Sequence, residues 1–378
     1  MGLSLAGVAL IALAGCAPAP SPSPALTPPP VPSDAFAWGD LVWTTGTIVD
    51  PPGGDAFADQ VSAVTAGPGG FVAVGYHELG PTRDGEIWFS ADGVDWAVVG
   101  RPGLLTGVEP LDVEVGPAGY RLLGTASGGP LGDHVQAVVF GSPDGRTWER
   151  MPVLPGGLDT FAQSIAVDAR RVLVTGFDGE GEPAVWLARD GGGFERIDPA
   201  GTGGAPLVDP EPVGDGFVAL GGLDGPPTVL RSTDGVEWAA TAVDGGSEGV
   251  ATGIVVGRWG FVIQGLLAPG CGAGASCAGF PIAWWSGDGT TWGRLPDEGS
   301  PVANGGSIVV PAGDHGFVAV DGASAWSSPD GWHWRPLPEP GDGTVGMEDA
   351  VVVGEVIVAV GTEYFEDGTR AGRILVAR

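Results

Sequence analysis

Short apolar runs that close on a small or acidic residue recur along the chain. They read FVAVG (Phe71 to Gly75), YRLLG (Tyr120 to Gly124), VLVTG (Val172 to Gly176), FVALG (Phe217 to Gly221), FVIQG (Phe261 to Gly265), FVAVD (Phe317 to Asp321) and IVAVG (Ile357 to Gly361). Runs of this length, rich in β-branched residues and bounded by Gly, Pro and Asp, predict strands buried on both faces. Successive copies begin 49, 52, 45, 44, 56 and 40 residues apart. A period near 50 is too long for leucine-rich or ankyrin repeats and fits a four-stranded propeller blade. The expected fold is all-β, a seven-bladed β-propeller over residues 36–378. In its first blade the strands fall at Val61 to Thr65, Phe71 to Gly75, Glu86 to Ser90 and Trp96 to Val99.

A second marker follows the apolar run. It reads SADGVDW (Ser90 to Trp96), SPDGRTW (Ser142 to Trp148), STDGVEW (Ser232 to Trp238), SGDGTTW (Ser286 to Trp292) and SPDGWHW (Ser328 to Trp334), with a worn copy ARDGGGF from Ala188 to Phe194. Asp-Gly between two strands is a strong hairpin signal, because Gly adopts positive φ and the carboxylate accepts turn amides. A structural role is therefore expected for Asp92, Asp144, Asp190, Asp234, Asp288 and Asp330. These segments resemble the Asp-boxes, or BNR repeats, of sialidases and related propellers, whose pattern is S-x-D-x-G-x-x-W. The copies here lack one residue between Asp and Gly, which places the likeness with the wider Asp-box group. The resemblance covers six of seven repeats and implies a propeller whose boxes hold outer hairpins away from any catalytic centre.

The seventh repeat ends at Arg378 with its third strand and has no box. Its fourth strand is expected from residues 41–45 near the other end, which closes the ring and leaves no open sheet edge.

Residues 2–15, GLSLAGVALIALAG, are apolar but too short for the roughly 20 residues of a spanning helix. They read as a signal peptide over residues 1–15. The end Leu13-Ala14-Gly15-Cys16 resembles the lipobox of bacterial lipoproteins, which implies cleavage before Cys16 and lipid attachment to its thiol. The basic n-region of that pattern is missing. Residues 16–35 are proline-rich and read as an extended spacer. In an exported chain, Cys271 and Cys277 are expected to form a local disulfide, since no His, Asp or Glu lies in their run to complete a metal shell.

The chain carries 46 acidic residues against 16 arginines and no lysine, a formal charge of −30. The missing lysine excludes P-loop and Schiff-base chemistry. The charge repels nucleic acid. A sialidase-like site needs three arginines around a carboxylate, a Tyr–Glu pair and an acid. Here Arg150, Arg196, Arg294 and Arg335 fall on outermost strands, Arg189 and Arg231 on third strands, and Arg83 and Arg370 in loops between second and third strands. Only Tyr76, Tyr120 and Tyr364 exist as nucleophiles, and Tyr120 occupies a core position.

At the starts of the innermost strands stand Asp59, Asp112, Gln163, Asp209, Thr252, Ser307 and Asp349. The four carboxylates form a candidate channel-mouth site for Ca²⁺ or for a cationic or hydroxyl-rich ligand, the alternative being solvated strand ends. His77 and His134 sit in equivalent loops of neighbouring blades. Trp259, Trp284, Trp285, Trp326 and Trp332 lie outside the box positions, as core residues or sugar platforms. The sequence thus points to a surface-anchored, monomeric, extracytoplasmic lipoprotein that binds a carbohydrate or cell-surface protein. The alternative is a glycoside hydrolase, sialidase-like, or a lyase.

Overall fold

The computed structural model describes residues 38–48, 59–79, 82–128, 134–156, 159–222, 227–243, 249–267, 280–296, 300–302, 307–341 and 343–378. The signal segment, the proline-rich spacer, Cys16, Cys271 and Cys277 lie outside them. Seven antiparallel sheets follow one another along the chain. Their innermost strands are Gln60–Gly67, Val108–Gly116, Phe161–Val167, Leu207–Val213, Gly249–Gly257, Ile308–Pro311 and Val345–Val353. Each packs on its predecessor and its successor, and the last packs on the first, so the ring is closed. The fold is the expected seven-bladed propeller of four-stranded blades.

The second strands are apolar at nearly every position because both faces are covered by neighbouring blades. Between the first and second blades, Val72, Val74, Ile87 and Phe89 meet Val113, Leu122, Val138 and Phe140. Between the seventh and first, Val358, Val360, Ile374 and Val376 meet Val61, Phe71, Trp88 and Trp96. The terminal glycine of the repeated run has a steric cause. A Cβ on Gly75 would sit 2.1 Å from the Gln60 carbonyl oxygen, and one on Gly176 would sit 2.0 Å from that of Phe161.

Trp43–Thr45 completes the last blade, with Trp43, Thr44 and Thr45 opposite Ala377, Val376 and Leu375. The chain then crosses to the first blade, where Thr47–Ile48 adds a fifth strand, parallel to Asp95–Val98. Upstream, Trp38 stacks on His315 with ring centroids 4.6 Å apart, and Trp43 Nε1 donates to the Pro338 carbonyl at 2.8 Å. One segment therefore ties the sixth, seventh and first blades together.

The S-x-D-G turns all lie on one face of the ring, called here the rear face. Ser90 Oγ accepts the Gly93 amide at 2.8 Å, Asp92 Oδ1 accepts those of Val94 and Asp95, and Trp96 Nε1 donates to Gly93 O at 2.7 Å. The serine and aspartate bonds recur around Asp144, Asp234, Asp288 and Asp330, and the indole bond recurs for Trp148, Trp238 and Trp334 but not for Trp292. Their amide donors hold Asp92, Asp144 and Asp234 below the usual carboxylate range. The turn glycines take φ of +70° to +83°, which side-chain-bearing residues rarely adopt. In the worn copy Asp190 caps no amide and instead meets Arg170 through two bonds of 3.0 and 3.2 Å. Chemical denaturation should therefore show Asp144→Ala costing about 1 kcal/mol, as for a lost cap. Asp190→Ala, which removes only an exposed ion pair, should cost clearly less; equal losses would contradict this division.

Candidate functional site

The innermost strands begin on the face opposite the S-x-D-G turns, the front face. Most carry one extra residue relative to their second strands. The register shifts at Val61/Ala63, Pro110/Asp112, Ala162/Ser164, Val208/Glu211, Ala251/Gly253 and Met347/Asp349. A bulge re-aims the side chains next to it. The carboxylates beside these bulges reach across the blade junctions. Asp349 Oδ2 accepts the Val64 amide of the first blade at 2.8 Å, and Asp209 Oδ2 accepts the Ile254 amide of the fifth at 2.7 Å. Asp112 accepts the amides of Val113 and of Ile165 in the third blade.

Two further acids lie deeper on the same strands. Glu114 follows Asp112 by two residues, on the same side of the strand by its period of two, and Glu211 follows Asp209 across the bulge at Val208/Glu211. Glu114 stands opposite Arg121 and Glu211 opposite Val218, equivalent positions of their blades. All five carboxylates are half-buried and keep accessible surface.

All five belong to innermost strands of the closed ring. Burial pushes Asp112 up to about 6, with the Asp209 charge adding to it and the two amides opposing. Burial lifts Asp209 to about 6 against the pull of the Ile254 amide. Asp349 rises to about 7 through burial, opposed by the Val64 amide and reinforced by the charges of Asp112 and Asp209. Burial also holds Glu114 and Glu211 well above the usual range, and each feels Asp112 and Asp349 as well. Among the described residues no arginine or histidine joins the five, and no three His, Cys, Asp or Glu side chains are grouped as a metal site requires.

Of the four aspartates expected at the channel mouth, three converge and Asp59 does not. Its Oδ2 accepts the Glu78 amide at 2.6 Å, and the first-blade residue in the register of Asp112 is Ala63. The same counting moves Gln163 to Ser164, Thr252 to Gly253 and Ser307 to Ile308. Glu114 and Glu211 escape a reading confined to strand starts; alternation counted onward from Asp112 would have found Glu114, and Glu211 holds the equivalent position of its blade.

Arg83 and Arg370 belong to third strands, Thr82–Ser90 and Arg370–Ala377, not to loops. They flank the buried Tyr76 ring at 4.5 and 5.9 Å. Arg83 also pairs with Glu109 of the second blade, and Arg370 with Glu78 of the first. This network clasps three blades at the ring closure. His77 pairs with Glu86 and His134 with Asp159, so the two histidines serve separate acids. Of the tryptophans outside the turns, Trp284 and Trp285 are core, and Trp259 is exposed beside Arg258 on the rear face. Phe161, Leu266, Phe280 and Tyr364 expose apolar surface at strand ends on the front face.

Among solved structures, YCF48 bound to D1 peptide matches 90% of this chain and 95% of its own at 12% identity and a TM-score of 0.52. The β-propeller domain of the Trilobed protease from Pyrococcus furiosus matches 85% of this chain and 95% of its own at 11% identity and a TM-score of 0.50. A Trypanosoma rangeli sialidase mutant displaying trans-sialidase activity matches 83% of this chain and 59% of its own at 11% identity and a TM-score of 0.46. No protein-family model and no curated protein matches the chain. The likeness to the first two of these structures is one of fold alone.

Proposed function

We propose that the protein is an extracytoplasmic lipoprotein, anchored through Cys16, whose propeller binds a carbohydrate or protein ligand at the front face. The observation that carries this reading is the axial site itself: a recessed, polar, fixed set of acids with no guanidinium among them. A sialoside carboxylate would meet only like charge there, so the sialidase-like hydrolase is the weaker alternative. The path of the chain supports the orientation. Trp38 and Gly39 lie on the rear face, against His315 and Glu355 in turns between first and second strands. The first described residues thus lie on the face opposite the axial acids.

Two experiments test the reading. Cys16→Ala should move the protein from the membrane fraction to the medium or periplasm, since the diacylglyceryl chains supply stable attachment. Unchanged partition would rule the anchor out. The purified protein should release no sialic acid from an aryl sialoside; turnover clearly above that of a Tyr76→Phe, Tyr364→Phe control would overturn the binding reading.

A further inference from the structure

Arginine is scarce in this chain, 16 residues against 46 acids. Between the outer strands of the first and second blades the balance reverses. A cavity of about 650 Å³ is lined there by Arg101, Arg146, Thr147, Trp148, Glu149 and Arg150, three guanidinium groups against one carboxylate. Among the described residues none of these three arginines is paired with an acid.

Local structure fixes where they stand. Arg146 follows the Asp-Gly of the second-blade turn, and Asp144 Oδ1 accepts its amide at 2.9 Å. Its guanidinium lies over the Phe89 ring of the first blade, 3.6 Å from the centroid, which holds the plane of the fork against an aromatic face. The other S-x-D-G turns carry Val94, Val236, Thr290 and Trp332 at this position, so the turn itself needs no arginine there. Arg150 ends the outer strand Glu149–Arg150, and its guanidinium meets the Gln136 amide oxygen at 3.4 Å. Its counterpart two residues after the aromatic of the third-blade turn, Arg196, is instead engaged by the buried Asp178 at 2.7 Å. Arg101 lies just past the outer strand Asp95–Val98, where its carbonyl accepts the Leu104 amide at 3.1 Å and its side chain is exposed.

We propose that this cavity binds a phosphate monoester. A guanidinium presents a planar fork of donors that matches a tetrahedral oxyanion, and three forks against one acid suit a dianion. A single carboxylate would leave most of that charge unanswered. The cavity is far larger than a phosphate group, so the phosphate sits on a larger body, a soluble ester or a lipid headgroup. The formal charge of −30 repels anions at a distance, but at about 0.15 M salt that field decays over about 8 Å, and within the cavity the nearby arginines dominate. The site shares no residue with the axial acids and stands apart from the front-face reading.

The test uses the full chain carrying Cys16→Ala, so that no acyl group confuses the vesicle arm. Titration calorimetry at pH 7.5 and about 0.15 M NaCl, where a phosphate monoester is chiefly dianionic, compares inorganic phosphate and glycerol 3-phosphate with acetate. Cosedimentation compares phosphatidylcholine vesicles with and without phosphatidic acid. Saturable binding of glycerol 3-phosphate, at least tenfold tighter than that of acetate, would identify a soluble ester; sedimentation with phosphatidic acid vesicles alone would identify the headgroup. In either case Arg101→Gln, Arg150→Gln should weaken binding at least tenfold. Both side chains are exposed, so the double variant should melt with the parent. Acetate bound as tightly as the ester, binding that the double variant leaves intact, or no binding in either arm would overturn the proposal.

Discussion

Deleting residues 36–45 is expected to lower the thermal midpoint by about 10–20 °C or to cause aggregation. The deletion removes Leu41, which is 5% exposed, and the whole pairing of Trp43, Thr44 and Thr45 with Leu375 to Ala377. It also removes the indole bond to Pro338 in the neighbouring blade. Burial of Leu41 contributes about 2 kcal/mol, and three or four net hydrogen bonds about 1 kcal/mol each. A loss of about 5 kcal/mol corresponds to this shift at roughly 2–4 °C per kcal/mol for a large domain. The bared third strand would also present unpaired amides and carbonyls to other chains. A deletion protein that melts with the parent and stays monomeric would show that the ring closes by other contacts.

The protein should be more stable at pH 5 than at pH 8. Asp112 and Asp209 rise from 3.8 to about 6 and Asp349 to about 7 in the folded state, so that state holds protons more tightly than the unfolded chain. For such groups the stabilisation is complete below about pH 4 and is lost as pH rises through 6 to 7. Two units on one group are worth about 3 kcal/mol, and the shared network makes the sum less than additive. The turn aspartates act in the opposite sense: Asp92, Asp144 and Asp234 are depressed, so their contribution fades as pH falls below about 4. Thermal midpoints should therefore peak near pH 4–5. Asp349→Asn keeps an acceptor for the Val64 amide and removes the charge, so it should raise the midpoint at pH 8 and flatten the slope between pH 6 and 7. A parent profile that rises from pH 5 to 8 would refute the assignment.

The propeller was legible because its period rests on residues with strong local signals. The glycine that closes six of the seven apolar runs and the Asp-Gly of six turns are dictated by backbone geometry, and the runs recur every 40 to 56 residues. Closure by residues 41–45 followed from one strand lacking a partner and one repeat lacking a strand. The parallel addition of Thr47–Ile48 left no trace, since two residues carry no periodicity. The axial site was half visible. Counting from strand starts found Asp112, Asp209 and Asp349, but each bulge moves the register by one residue and so reverses which side chain points inward. Asp59 looked equivalent to them in sequence, yet it sits four residues before Ala63, the residue in the register of Asp112. The clasp of Arg83, Arg370 and Tyr76 depends on contacts between the first and last repeats, which no local pattern records.

The gathering of acids on the innermost strands is tested most directly by a crystal structure of the protein grown at pH 7.5. Asp112, Asp209 and Asp349 are expected to face one axial channel together with Glu114 and Glu211. An arginine of the chain itself lying among these carboxylates, or the five pointing into separate crevices, would contradict the account.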